Sequence, residues 1–126
     1  YPTGYEDCKT RATNESNDGA RPKYIGDVED WSSYSLVFLG YPIWWGDMPM
    51  CMYTFIEAHN WAGKTVIPFC TSEGSGAGST DRTLKNALKG ADVKRVMSMR
   101  GTTAQNNPAE VENTVGRWIK TLGLGF

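Results

Sequence analysis

Two short apolar runs, each followed by a loop and then a helical pattern, restrict this chain to a small set of folds. The first run, Leu36-Val-Phe-Leu-Gly40, leads into Tyr41-Pro-Ile-Trp-Trp-Gly46. The second, Thr65-Val-Ile-Pro-Phe-Cys70, leads into Thr71-Ser-Glu-Gly-Ser-Gly-Ala-Gly78. Both are rich in β-branched or aromatic residues and closed by turn residues, so both read as buried strands. Two successive strand–loop–helix units imply a parallel sheet, and open parallel sheets bind ligands beyond the carboxyl ends of their strands. One loop there offers two adjacent tryptophans and the other offers unhindered backbone amides. That pairing suits a planar, hydrogen-bonding heterocycle.

The chain has 126 residues, enough for one domain with a single core. No run of about 18 apolar residues occurs, so no membrane span is expected, and no signal peptide opens the sequence at Tyr1. The three cysteines (Cys8, Cys51, Cys70) form no C-x-x-C pair and leave one over from any disulfide, which favours a reducing, cytoplasmic setting. One histidine and scattered cysteines supply no recognisable metal set. Net charge is −1 but unevenly divided: residues 1–60 hold nine acids and four bases (−5), and residues 61–126 hold five acids and nine bases (+4). Solvated helix faces account for Lys85, Lys89, Lys94, Arg95 and Arg100, so no nucleic-acid partner is expected.

Tyr5, Cys8 and Ala12 recur at helical spacing and predict a helix over 4–17 that packs through one narrow stripe. Asp27–Trp31 reads as an acidic turn or short helix. Pro49 opens a helix carrying Met52, Phe55 and Ile56 inward. Ser79 or Thr80 is expected to cap a helix with Leu84, Leu88 and Ala91 on one face, ending at Gly90. Val93–Met99 predicts a third strand. In the last helix Asn107 is the cap, Pro108 the first residue and Glu110 the far end of a capping box, with Val111, Val115, Trp118, Ile119 and Leu122 as its stripe. Three strands are fewer than an average sheet holds. Leu36–Gly40 also lacks a neighbour on its outer side, and an apolar edge of that kind needs a cover.

The string Gly40-Tyr-Pro-Ile-Trp-Trp-Gly46, followed by Met48-Pro49, Gly63-Lys64, Pro68-Phe69, Thr71-Ser72 and Gly74-Ser75-Gly76, resembles bacterial flavodoxins. The Arg21-Pro22 step, the helix from Pro2 and the closing Trp118–Gly123 resemble them too. The resemblance covers essentially the whole chain. It implies a flavodoxin-like α/β/α fold with a parallel sheet of order 2-1-3-4-5 that binds FMN at its strand ends. Matched to that pattern, residues 1–126 form one amino-terminally incomplete domain holding the family's third, fourth and fifth strands. The first two strands and the phosphate-holding loop between them are absent from this sequence.

The resemblance assigns FMN contacts to Tyr41, Pro42, Ile43, Trp44, Trp45 and Gly46 in the first loop. In the second it assigns Thr71, Ser72, Glu73, Gly74, Ser75 and Gly76, with amides around Glu73–Gly76 on the polar side of the ring. The plainer readings are that the tryptophans plug the core at a strand end, an awkward way to fill one beyond the strand, and that the glycines form a flexible turn. The Gly-rich loop lacks the Lys-Ser/Thr of a nucleotide P-loop. His59, near a helix end, reads as a surface or cap residue. No nucleophile–base pair or carboxylate pair points to hydrolysis. Asp47 and Glu73, if near the ring, would lower its potential.

The implied function is electron transfer through non-covalent FMN by a flavoprotein of oxidoreductase type. The expected carrier serves redox partner proteins, a reductase and an acceptor, rather than a substrate of its own. Two other readings stand beside it. One is an FMN-dependent NAD(P)H or quinone oxidoreductase, and the other a truncated module that no longer binds FMN. A dimer or a second chain is expected to cover the exposed strand edge.

Overall fold

The computed structural model describes residues 1–125. Its elements are α1 (Tyr5–Asp18), a short 3₁₀ turn (Trp31–Ser33), β1 (Leu36–Pro42), α2 (Met50–Ala58), β2 (Thr65–Ser72) and α3 (Thr80–Ala87). They continue with β3 (Asp92–Val93), β4 (Met97–Arg100), α4 (Gly101–Asn106) and α5 (Pro108–Thr121). Every strand pairing is parallel, as the alternation of strands and helices requires. β1 and β2 pair from Leu36↔Thr65 to Pro42↔Thr71, so both deliver their loops at the same level. β1 pairs with β2 alone and is an edge among the described residues.

The period of two along each strand sorts its side chains between two faces. Leu39, Tyr41, Val66 and Cys70 join Ile56 of α2 and Leu84 of α3 in the main core. On the opposite face Ile67 is fully buried, while Phe38 and Phe69 stay 42% and 36% exposed. The Trp118 ring of α5 meets both phenylalanines edge-on, at 6.2 and 6.1 Å. Helices thus cover both faces of the sheet. The predicted stripe of α5 exists, but none of its residues is fully buried.

The third strand departs from expectation. Instead of one run over 93–99 it forms two pieces, β3 and β4, both paired with β2. The register shifts by one residue between Val66↔Val93 and Phe69↔Met97, which is a bulge of one extra residue on the outer strand. Its cause lies on the neighbouring strand. Pro68 has no N–H to offer a ladder at that level. The Val96 N–H, displaced from the ladder, donates to Asp81 Oδ1 at 2.9 Å instead.

Two caps also differ. Ser79 stands at the start of α3 but makes no capping bond; the Thr80 hydroxyl donates to Ala77 O at 2.6 Å and accepts from Tyr41 OH at 2.8 Å. Asn107 Oδ1 accepts from the Glu110 N–H at 3.1 Å, as expected. The return bond of a capping box is not made, because α4 runs straight into α5 and the Asn107 N–H already donates to Thr103 O. No helix among the described residues is long and apolar enough to cross a membrane.

Candidate functional site

Beyond β1 the chain stays beside β2 for one more residue, with the Ile43 N–H donating to Thr71 O at 2.9 Å. It then reverses in a four-residue turn. Trp44 N–H donates to Asp47 O at 2.7 Å, and Asp47 N–H returns to Trp44 O at 3.2 Å. Trp45 and Gly46 occupy its centre at φ 55° and 75°, the signature of a type I′ turn. Glycine adopts that conformation freely, but a tryptophan there costs about 1–2 kcal/mol. Such strain persists only where surrounding contacts over-determine it, and it concentrates at functional sites. The Trp45 ring is 61% exposed, whereas Trp44 is half-buried with the Tyr1 ring edge-on at 4.9 Å.

The second loop is pinned at three points. Ser72 Oγ accepts from the Gly76 N–H at 3.0 Å. Glu73 Oε1 accepts from the Thr102 N–H at 2.9 Å, tying the loop to the start of α4. Gly78 abuts the first loop so closely that a Cβ there would stand 2.4 Å from Gly46 O. Among the described residues the amides of Glu73, Gly74 and Ser75 make no hydrogen bond within the protein. They are the donors the loop leaves available.

Between the two loops and α1 lies a crevice of about 450 Å³. Pro42, Ile43, Trp44 and Trp45 line it from the first loop, and Thr71, Ser72 and Glu73 from the second. Tyr5, Cys8, Lys9 and Ala12 of α1 form the facing wall, with Gly101 at one end. Seven of the twelve residues proposed from sequence therefore share one lining. The other five stand outside it. Tyr41 is buried and points its hydroxyl at Thr80. Gly46 packs on Gly78, and Gly74 lies beside the Arg100 guanidinium. Gly76 has its amide engaged by Ser72, which narrows the free donors to Glu73–Ser75. Ser75, also off the lining, keeps its amide free.

Sequence reasoning missed the α1 wall and Gly101. The stripe of Tyr5, Cys8 and Ala12 was legible, but what it faces was not. Of the two loop acids whose influence depended on nearness to the ring, Asp47 is turned away. Its carboxylate accepts from Tyr53 OH at 2.7 and 2.8 Å and from the Met48 N–H at 2.7 Å, and it does not line the crevice. Glu73 is the acid on the lining. His59 is satisfied on both ring nitrogens, with Nδ1 2.7 Å from Phe55 O and Nε2 2.8 Å from Asp27 Oδ1.

Burial pushes the Tyr41 phenol up to about 12, so it is a neutral donor to Thr80 across the working range. Burial, then the Asp47 carboxylate, raises the Tyr53 phenol as well. Burial raises the Cys70 thiol, which sits in the core away from the crevice. Among the described residues no group of three or more His, Cys, Asp or Glu could hold a metal ion. What the crevice offers is a mostly apolar slot with aromatic rings on both walls, free amides near one end and no nucleophile–base pair.

Among curated proteins none matches this chain. Solved structures do. A protein from Bacteroides eggerthii assigned as a flavoprotein is 30% identical, over 96% of this chain and 74% of its own, with a TM-score of 0.74. One from Bacteroides uniformis, also assigned as a flavoprotein, is 31% identical, over 92% and 70%, with a TM-score of 0.74. A Lactobacillus acidophilus flavoprotein in complex with FMN is 18% identical, over 83% and 71%, with a TM-score of 0.64, a likeness of fold alone. The flavodoxin family model matches residues 3–121. Parallel strands whose two following loops share one crevice, and a family match over residues 3–121, lead to one assignment: this chain belongs to the flavodoxin family.

Proposed function

We propose that this protein binds FMN, with the flavin ring in the crevice between α1 and the two loops, and carries electrons between redox partner proteins. The observation that carries the proposal is the Trp44–Trp45 turn and Glu73 on one lining, with the unpartnered amides of Glu73, Gly74 and Ser75 in the segment that enters it. A volume of about 450 Å³ falls in the range of small-molecule sites. The residues fit the ring of the group: Ile43, Trp44, Cys8 and Ala12 give apolar and aromatic surface, and the loop amides suit a carbonyl- and nitrogen-bearing edge.

When bound, FMN supplies one- and two-electron redox chemistry that no side chain here provides. The chain's own contribution is threefold. The tryptophans exclude water from one side of the slot. The Glu73–Ser75 segment, held through Thr102, orients the polar edge. The Glu73 carboxylate places negative charge on the lining and disfavours added negative charge on the ligand. Trp45, exposed at the rim, stands where a partner would make weak, transient contact. The unpaired cysteines accord with a reducing, cytoplasmic setting.

Titration of FMN and of riboflavin, followed by flavin fluorescence with intact mass and oligomeric state alongside, tests this. Saturable, one-to-one quenching by both is expected. A folded chain that quenches neither overturns the proposal. Once loaded and reduced, the protein should pass electrons to an acceptor protein. Direct oxidation of NAD(P)H without a reductase would favour an enzyme instead.

A further inference from the structure

The outer face of α2 carries Tyr53 and Glu57 one turn apart. Tyr53 OH donates to both oxygens of the Asp47 carboxylate, which also accepts the Met48 N–H. Asp47 in turn closes the Trp44–Asp47 turn through its backbone. On the other side of Tyr53, the Arg21 guanidinium lies 4.9 Å from the ring centre. Its Nε donates to both Glu57 oxygens at 3.0 Å. Its Nη1 donates to Gly19 O at 3.1 Å and Ala20 O at 3.0 Å, the carbonyls just past α1.

One continuous chain of contacts therefore runs from the end of α1, through α2, to the tryptophan turn. It joins the two elements that carry the walls of the crevice, yet neither Arg21, Tyr53, Asp47 nor Glu57 lines it. A second bridge runs through Tyr1, whose hydroxyl donates to Glu15 Oε2 of α1 at 2.6 Å and whose ring meets Trp44 edge-on at 4.9 Å. α1 buries only Ala12 fully, and the turn holds Trp45 in a conformation it does not favour. A charge-assisted bond from Tyr53 to Asp47 is the kind of tie that over-determines such a turn.

We infer that Tyr53 and Arg21 are positioning residues. Tyr53 fixes the Trp44–Trp45 turn through Asp47, and Arg21 fastens the end of α1 to the same helix face, so both walls are anchored on α2 in addition to the Tyr1 bridge. This rests on the crevice being the flavin-ring site, but the tie itself can be read without ligand.

The test compares Tyr53→Phe, Asp47→Ala and Asp47→Asn by near-ultraviolet circular dichroism, hydrogen exchange and riboflavin titration, with thermal melting as a fold control. Tyr53→Phe removes only the donor. It should alter the tryptophan dichroism, speed exchange across residues 44–47 and weaken riboflavin about tenfold. Asp47→Asn keeps an acceptor for Tyr53 and Met48 and should rescue all three signals lost in Asp47→Ala. Arg21→Met should speed exchange at the end of α1. Unchanged dichroism and exchange in Tyr53→Phe, or equal losses in Asp47→Ala and Asp47→Asn, overturn the inference. If Tyr53→Phe does not fold, the Asp47 pair decides. If the parent protein binds no riboflavin, the ring-site proposal fails while dichroism and exchange still decide the tie.

Discussion

Replacing Gly78 by alanine drives a methyl group into the place where the two loops touch. The residue sits at φ +58°, where any L side chain costs about 1–2 kcal/mol. The new Cβ would also stand 2.4 Å from Gly46 O and 3.2 Å from its carbonyl carbon. Those are backbone atoms inside a hydrogen-bonded turn, so no side chain can swing aside. Overpacking of this kind adds about 1–3 kcal/mol. Gly76→Ala isolates that second part, because Gly76 lies at φ +65° with nothing within 4 Å of its would-be Cβ. The two variants should therefore differ by about 1–3 kcal/mol, or very roughly 3–10 °C in melting temperature for a chain of this size. Urea unfolding read by far-ultraviolet dichroism measures the difference, and riboflavin titration shows whether the displaced turn weakens the crevice. Equal destabilisation of the two variants would refute a tight contact between the loops.

Trp45→Gly relieves the left-handed strain and should leave the melting temperature unchanged or slightly higher, since glycine's unfolded-state entropy offsets part of the gain. The same change should cost about 1–3 kcal/mol in riboflavin affinity, the usual worth of an aromatic stacking platform. Glu73→Gln should raise the midpoint potential of bound FMN by roughly tens of millivolts. Asp47→Asn should move it little, because that carboxylate is turned onto Tyr53; a spectroelectrochemical titration distinguishes them. Burial holds the Tyr41 phenol at about 12 in the fold, and those of Tyr1 and Tyr53 are also raised, burial being the leading cause in each. Their neutral forms therefore stabilise the fold fully below about pH 10, and that contribution is lost as pH rises from there. Melts across that window, with phenolate absorbance recorded, should show these tyrosines ionising as the fold opens. Full ionisation of all six tyrosines in a still-folded protein would contradict this.

What was legible in the sequence was local or strictly periodic. The apolar runs of β1 and β2, the Asn107-Pro108 start of α5 and the stripe of α1 each announce an element through its own residues. What escaped notice depends on a partner far along the chain. Pro68 breaks the strand beside it by withholding a donor, and nothing within 92–100 records that. Thr80 reads as a cap but is claimed by Tyr41, thirty-nine positions away. Of the site, the two loops could be named because they close strands that must be adjacent and parallel. The α1 wall could not, since a narrow apolar stripe does not say which surface it meets. The partner of Asp47 escaped for the same reason: a loop position says nothing of Tyr53 in the helix that follows.

Amide and indole chemical shifts recorded while riboflavin is added to the isotopically labelled protein show whether the ring enters the crevice. A ring seated between the two loops and α1 should give saturable shifts at Trp44 and Trp45, at the Glu73, Gly74 and Ser75 amides, and along the Tyr5–Ala12 face of α1, with the α5 stripe unmoved. Shifts confined to other surfaces, or none from a folded protein at saturating riboflavin, would contradict it.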